Sequence, residues 1–525
     1  MTRKKSLISG AGLLVLACSM TAWSQPVTID SGTNPPADAI AIPKDSKALA
    51  VKALPDVVAE IMKRSHVPGM AVAVVIDGKT VLARGYGVRE LGKKEPVDAQ
   101  TVFEIASLSK SLTATVAAIE VTKGTIAWDD PVVRYLPDFK LSNAYVSQHA
   151  TIGDFFSHRS GLPGTAGDDL EDLGYQRNDI IARLGQLPLD AFRISYHYAN
   201  FGTTIGAQAV AAAAGQPWEA LAEELLLKPL GMKSTSYRYD DFMARDNRAV
   251  LHGYQNGAFV PLGQDNADQQ APAGGVSSNV VDMAEWLKLL LADGEHRGKP
   301  MIAADALLPA LSPQSFSARA HDLASRPGFY GYGFNVNTEL GGRQSMGHSG
   351  AFLLGTGTTF KIVPSAGIGI VVLTNGAPVG AAESVVATFI DTALYGKPTR
   401  DWFAAYNTAL KVIFEPQADL SEQAKPANPA PAKTLSVYTG RFDNAYYGAA
   451  EIQEADGALT LVLGPKSMRF PLRHWDGDTF AFAPAGEAAL VDSLASLTFN
   501  GDKGQPGGFD IKFYDDNGMG RWVRK

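Results

Sequence analysis

The chain has 525 residues, 46% of them hydrophobic and 19% charged, a balance that supplies a substantial core and excludes disorder along its whole length. Two to four domains are expected at this length. The net charge of −7 argues against nucleic acid as the main partner, and the single cysteine, Cys18, excludes a disulfide framework.

Residues 1–24 read as a secretory signal peptide. Arg3, Lys4 and Lys5 form a basic start, Leu7 to Ala17 is a short apolar run, and Ala22-Trp23-Ser24 offers small residues at the cleavage spacing. The expectation is cleavage near Ser24–Gln25 and export across the inner membrane, with the periplasm as destination. The alternative, a lipoprotein anchored through Cys18, is disfavoured by the bulky Leu16. Cleavage would leave a net charge of −10 and no cysteine, hence no thiol nucleophile and no cysteine-held metal; no cofactor is expected. No other segment has the apolar length to cross a bilayer.

Residues 25–50, rich in Pro, Ala, Asp and Ser, read as an extended leader. Val51, Leu54, Val57, Val58, Ile61 and Met62 then follow helical spacing up to Ser65. Two β-branched runs flank Asp77-Gly78, a hairpin signal. Residues 103–123 have helical character, as do 204–229, and residues 281–293 form an amphipathic helix. Residues 357–375 return to strand around a turn at Pro364 to Gly367, and 381–396 are helical again. Strands early, helices in the middle and strands late predict an α+β domain over 51–415, with an antiparallel sheet flanked by helices and an all-helical lobe. Residues 416–434 form a Pro/Ala-rich linker. Short alternating runs over 435–525, among them a pair around Asp456-Gly457, predict a small all-β barrel. Its Tyr446, Tyr447, Trp475 and Trp522 are expected in the core.

Three segments carry chemistry. In Ser107-Leu108-Ser109-Lys110 the hydroxyl of Ser107 and the amine of Lys110 share one helix face. A serine needs a base to become a nucleophile, and a lysine serves when burial lowers its pKa. Alone the pattern is frequent by chance and fits a solvated helix surface equally well. In Tyr198-Ala199-Asn200 the phenol can relay protons and the amide can hold the lysine or a substrate carbonyl. In His348-Ser349-Gly350-Ala351 a strand would place the Ala351 N–H beside that of Ser107 as an oxyanion hole. A rival reading takes Gly347-His348-Ser349-Gly350-Ala351 as a nucleophile elbow. That turn needs a helix after the serine, and the β-branched residues that follow give none.

Together, in order and spacing, the three segments resemble the serine β-lactamase and penicillin-binding-protein family, nearest to class C β-lactamases, D-aminopeptidases and related esterases. The resemblance spans about residues 50–400. It includes Trp128-Asp129-Asp130-Pro131 to Pro137, Thr151-Ile152 to Ser157-His158-Arg159-Ser160-Gly161-Leu162-Pro163, Pro229 to Met232 and Pro272 to Gly275. It implies Ser107 as the acylated serine, Lys110 as its base and Tyr198 as the second proton-transfer group, with Asn200, His348, Gly350 and Ala351 lining the substrate site. The expected substrate is a short peptide or small N-acyl compound. A carboxylesterase and a non-catalytic binder of cell-wall fragments are the alternatives. His348 stands where β-lactamases carry a lysine that holds the β-lactam carboxylate, so weak β-lactamase activity is expected. The final domain resembles a lipocalin-like domain, implied either to cover the cleft or to mediate assembly into a homo-oligomer.

Overall fold

The computed structural model describes residues 29–30, 39–416, 418–487, 489–501 and 504–525. The expected signal peptide and residues 25–28 and 31–38 of the expected leader lie outside them. Helix α1 (Ser46–Ser65) starts five residues before the expected Val51 and buries Ala50, Leu54, Val58 and Ile61. The hairpin of β1 (Gly69–Ile76) and β2 (Lys79–Gly87) turns at Asp77 and Gly78, at φ 48° and 76°. Both values are the positive angles that a tight two-residue hairpin requires.

Strand β1 is apolar at successive positions because both its faces are covered. Ala71, Ala73 and Val75 point into one core, while Met70, Val72 and Val74 point into the other; adjacent strand residues face opposite ways. The expected helix over 103–123 is corrected at its start. Phe103–Glu104 form a short strand, β3, and helix α2 spans Leu108–Thr122, with Ser107 as the residue preceding it. Helix α3 (Asn200–Ala214) stops at Gly215, whose φ of 71° leaves the helical region. The stretch read as one helix over 204–229 is therefore α3 followed by short helical pieces from Trp218 to Leu230.

Strand β4 (Ser277–Ser278) pairs with β3 and so fixes the approach to Ser107. Helix α4 (Val280–Leu291) follows, as the amphipathic pattern predicted. The remaining strands of the main sheet are β5 (Ser315–Ala318), β6 (Gly328–Tyr330), β7 (Asn335–Thr338), β8 (Gln344–Phe352), β9 (Thr356–Val363) and β10 (Ile368–Thr374). The order across the sheet is β5-β6-β7-β8-β9-β10-β1-β2, eight strands, all antiparallel. Helix α1 packs with α5 (Ala381–Tyr395) against one face. Helices α2 and α4 cover the other, and the helical lobe is built outward from them. This is the expected α+β arrangement, with early and late strands meeting in one sheet.

Residues 418–434 form no helix or strand, yet they lie along the second unit: the Asp419 carboxylate accepts from Ser496 N and Oγ at 2.9 and 2.6 Å. That unit is a closed eight-stranded barrel, β11 (Gly440–Asp443), β12 (Ala450–Ala455), β13 (Ala458–Leu463), β14 (Met468–Asp476), β15 (Thr479–Phe482), β16 (Ala495–Asn500), β17 (Gly508–Ile511) and β18 (Arg521–Arg524). Its interior holds packed aromatic rings: Phe442 and Phe499 meet Phe509 edge-on at 4.8 and 5.7 Å, and Trp522 stacks on Phe509 at 5.4 Å. Eight strands leave room for side chains or for one small ligand. No helix among the described residues is long and apolar enough to cross a membrane.

Candidate active site

Ser107 stands at the N-terminal end of α2, where a serine ordinarily caps the helix through its hydroxyl. Here the hydroxyl makes no cap bond. It lies 3.1 Å from Lys110 Nζ and accepts a hydrogen bond from the Tyr198 hydroxyl at 2.8 Å. The approach to it is strained: Ala106 has φ 47°, a left-handed conformation that a residue with a Cβ rarely adopts. Its neighbours hold it there. Ile105 N donates to Val276 O at 2.9 Å, Thr358 Oγ1 donates to Ile105 O at 2.9 Å, and Ser109 Oγ donates to Ala106 O at 2.6 Å.

Lys110 is fully buried and donates also to Asn200 Oδ1 at 2.7 Å and Ala273 O at 2.9 Å. Burial pulls its pKa down to about 7, although the Asp168 and Glu487 carboxyls act in the opposite direction. Near neutrality a free amine therefore faces Ser107, as a base requires. Asn200 links this amine to a further group, its Nδ2 donating to Asp168 Oδ2 at 2.9 Å. Burial raises Asp168 to about 7 against the pull of Lys110. Tyr198, also raised by burial, keeps its proton and can donate it.

Strand β8 forms the opposite wall. It pairs with β7 only over Gln344 to Gly347, and with β9 over Met346 to Phe352. On the β7 side the backbone from His348 to Phe352 therefore has no strand partner, and an extended substrate can lie along it. Gly350 permits the close approach to α2: a Cβ there would lie 2.5 Å from Ile105 O and 3.0 Å from Ser107 N. Ala351, the next residue, is exposed to the cleft. The strand continues through Ser349, whose hydroxyl meets Thr359 Oγ1 at 3.3 Å. The strand-to-helix turn that the elbow reading requires is absent at Ser349.

The hydrogen bonds of His348 fix its protonation. Nδ1 lies 2.6 Å from the Ser349 carbonyl oxygen, which can only accept, so Nδ1 carries the proton. Nε2 is then the acceptor for the Tyr330 hydroxyl at 2.8 Å. Burial and the nearby Lys110 hold its pKa down at about 3. His348 is neutral and offers no cation to a substrate carboxylate.

The sequence motifs thus converge on one cleft of about 1220 Å³, which Ser107, Tyr198, Asn200, His348 and Ala351 all line. Three residues with no sequence signal join them. Asp168 sits in the acidic stretch GDDLED, which reads as an ordinary helix start. Tyr330 lies in an unmarked strand. Glu487 comes from the barrel, in the loop after β15. Trp475, expected in the core, is only half-buried. Tyr446 and Tyr447 are buried in the core as expected, and both also line the cleft, where the Tyr447 hydroxyl donates to Asp169. The barrel is tied down beside them: Tyr175 donates to Tyr447 O at 2.8 Å, and Arg183 donates to Tyr446 O at 2.6 Å. No group of His, Cys, Asp and Glu among the described residues could hold a metal ion.

Residues 54–394 match the family described as Beta-lactamase. The chain belongs to that family. Residues 424–520 match a domain of unknown function, DUF3471. Among curated relatives, the chain is 28% identical to an unguisins hydrolase of Aspergillus campestris over 75% of each protein, and 26% identical to one of Aspergillus violaceofuscus over 84% of each. It is 28% identical to penicillin-binding protein 4 of Amycolatopsis lactamdurans over 59% of this chain and 81% of that protein. An octameric penicillin-binding-protein homologue from Pyrococcus abyssi shares the fold at a TM-score of 0.57 and 19% identity, covering 90% of this chain and all of that one. As a member of the β-lactamase family, the chain has the β-lactamase fold, that of one family of serine hydrolases.

Proposed function

We propose that the chain is an exported serine hydrolase that cleaves amide bonds in short peptides or small N-acyl amino compounds through an acyl-enzyme on Ser107. The observation that carries this reading is the position of the Ser107 hydroxyl, between a buried Lys110 amine at 3.1 Å and the Tyr198 hydroxyl at 2.8 Å. Ser107 Oγ attacks the carbonyl carbon as its proton passes to Lys110. The oxyanion is held by the N–H groups of Ser107 and Ala351. The C–N bond then breaks and the leaving nitrogen takes a proton through Tyr198. Water cleaves the resulting ester, giving its proton to the same basic pair. The similarity to two unguisins hydrolases over most of their length supports a hydrolase. The neutral His348 leaves no cation for a β-lactam carboxylate, so β-lactams are poor substrates. Export rests on the leader sequence.

The test is intact-protein mass spectrometry after incubation with short peptides, acyl esters and penicillin. The expected result is peptide product together with an adduct at Ser107 that disappears in Ser107→Ala. Turnover of esters alone would make the chain an esterase. Folded protein that forms neither adduct nor product would refute the catalytic reading.

A further inference from the structure

Tyr198, the proposed proton donor, lies on no helix or strand. It sits in the irregular stretch that precedes α3, so contacts from elsewhere must set where its hydroxyl points. Its own carbonyl accepts from Thr165 N at 3.0 Å. The peptide N–H groups on either side of it both end on one residue, His158. His197 N donates to the His158 carbonyl at 3.0 Å, and Ala199 N donates to His158 Nδ1 at 3.3 Å. The imidazole also packs against the Tyr198 ring, 4.5 Å between centroids, and against that of Tyr330 at 5.0 Å. It thus stands between the phenol that reaches Ser107 and the phenol that reaches His348.

His158 is held in a conformation that a residue with a Cβ disfavours: its φ is 56°, in the left-handed region. The turn is anchored on its far side by Arg159, whose N donates to Asp154 O at 3.0 Å and whose Nε donates to the buried Asp154 carboxylate at 2.8 Å. Because Nδ1 accepts a backbone N–H, the ring proton is on Nε2. That nitrogen is shielded from solvent and has no acceptor among the described residues, an unfavourable state for a donor. Burial and the nearby Lys110 hold the pKa well below the ordinary histidine range, so the ring stays neutral and Nδ1 stays an acceptor. A leucine would fill this space with no orphaned donor, but it could not hold Ala199. We propose that His158 is a positioning residue that fixes Tyr198 against Ser107 and thereby sets the rate at which the leaving group is protonated. The proposal rests on the hydrolase reading above and deepens it. His158 is 3% exposed and does not line the cleft, so it acts through Tyr198 and not on the substrate.

The test gives the full chain N-acetylalanine p-nitroanilide and N-acetylalanine p-nitrophenyl ester, each in D and L configuration. The acyl halves are the same. The anilide nitrogen must take a proton to leave, whereas p-nitrophenolate leaves without one. A displacement of Tyr198 by about 1 Å in His158→Leu is expected to lower kcat/KM for the anilide about a hundredfold and for the ester by less than about threefold. His158→Asn puts an amide oxygen where Nδ1 stands and tolerates the positive φ. It is expected to keep the anilide within about threefold of the wild type. His158→Gly tolerates the same φ and offers no acceptor, so it is expected to follow His158→Leu, and it takes over if the leucine variant does not fold. Equal losses on both substrates, or an asparagine variant no better than the glycine one, overturn the proposal. A crystal structure of His158→Gly needs no turnover: a Tyr198 hydroxyl still 2.8 Å from Ser107 Oγ also overturns it. Failure of a fluorophosphonate to label Ser107 in the wild type would instead sink the hydrolase reading, so the two failures are distinct.

Discussion

Replacing Asp168 with Asn tests the electrostatics of the nucleophile directly. Lys110 and Asp168 grip the same Asn200 amide at 2.7 and 2.9 Å, which places the charges roughly 6–7 Å apart. At an effective dielectric of about 20 their attraction is about 2.5 kcal/mol, or nearly two pH units on the Lys110 pKa. Asp168 itself titrates near 7, so it carries about half a charge where Lys110 loses its proton, and the pair titrates in two coupled steps. The expected shift is thus about one unit. Its sign follows from the charge removed: without the carboxylate, protonated Lys110 is less favoured and its pKa falls below 7. The assay is the rate of fluorophosphonate labelling of Ser107 against pH. The wild type is expected to show an acid limb with its midpoint near 7, and Asp168→Asn the same limb about one unit lower. A limb that stays in place or moves up would refute the assignment of Lys110 as the base.

Other consequences are as direct. Lys110→Met abolishes labelling yet stabilises the fold. The gain is full at and below pH 7 and shrinks by about 3 kcal/mol between pH 7 and 9, because there only the unfolded lysine still holds its proton; urea titrations at several pH values measure it. Gly350→Ala forces a Cβ against Ile105 O and Ser107 N and is expected to slow labelling about a hundredfold while circular dichroism shows a folded chain. Tyr330→Phe leaves the buried Nε2 of His348 without its donor and is expected to cost about 1–3 kcal/mol in thermal unfolding. Asp154, fully buried, receives Arg159 at 2.8 Å and Arg193 at 2.9 Å. Asp154→Ala strands both cations at a cost of about 3–5 kcal/mol in urea unfolding. Burial raises the Asp154 pKa, but Arg193, the Thr151 N–H and Arg159 more than offset it, so its contribution is present at neutral pH and lost on acidification.

Local signals made much of this architecture legible in the sequence. Asp77-Gly78 marked the first hairpin, alternation marked the barrel strands, and the spacing of Ser107 and Lys110 marked a shared helix face. Phe103 and Glu104 were misread because their strand exists only through pairing with Ser277 and Ser278, 174 residues away in the chain. Gly215 cut a helix that composition alone extended. At the site, Asp168 and Tyr330 were hidden because each acts through one hydrogen bond, to Asn200 and to His348, that no spacing encodes. Tyr446, Tyr447 and Glu487 were hidden for a different reason. The resemblance left the barrel either over the cleft or at an assembly contact, no residue pattern marks which of its side chains face the cleft, and a buried tyrosine reads as core wherever it is.

The sheet order carries a consequence for how the chain comes to be made. Strand β1 is paired on one side by its hairpin partner and on the other by β10, where Val74 lies opposite Ile370. Contacts this distant are slow to form, because a long loop must close before they return any energy. A ribosome therefore releases the serine and lysine long before the wall they face exists. Strand β8 emerges well after Ser107, β10 later still, and Glu487 among the last residues of all. A nascent or prematurely terminated product carries Ser107 and Lys110 without the cleft around them, and so the cleft is complete only when synthesis is almost finished.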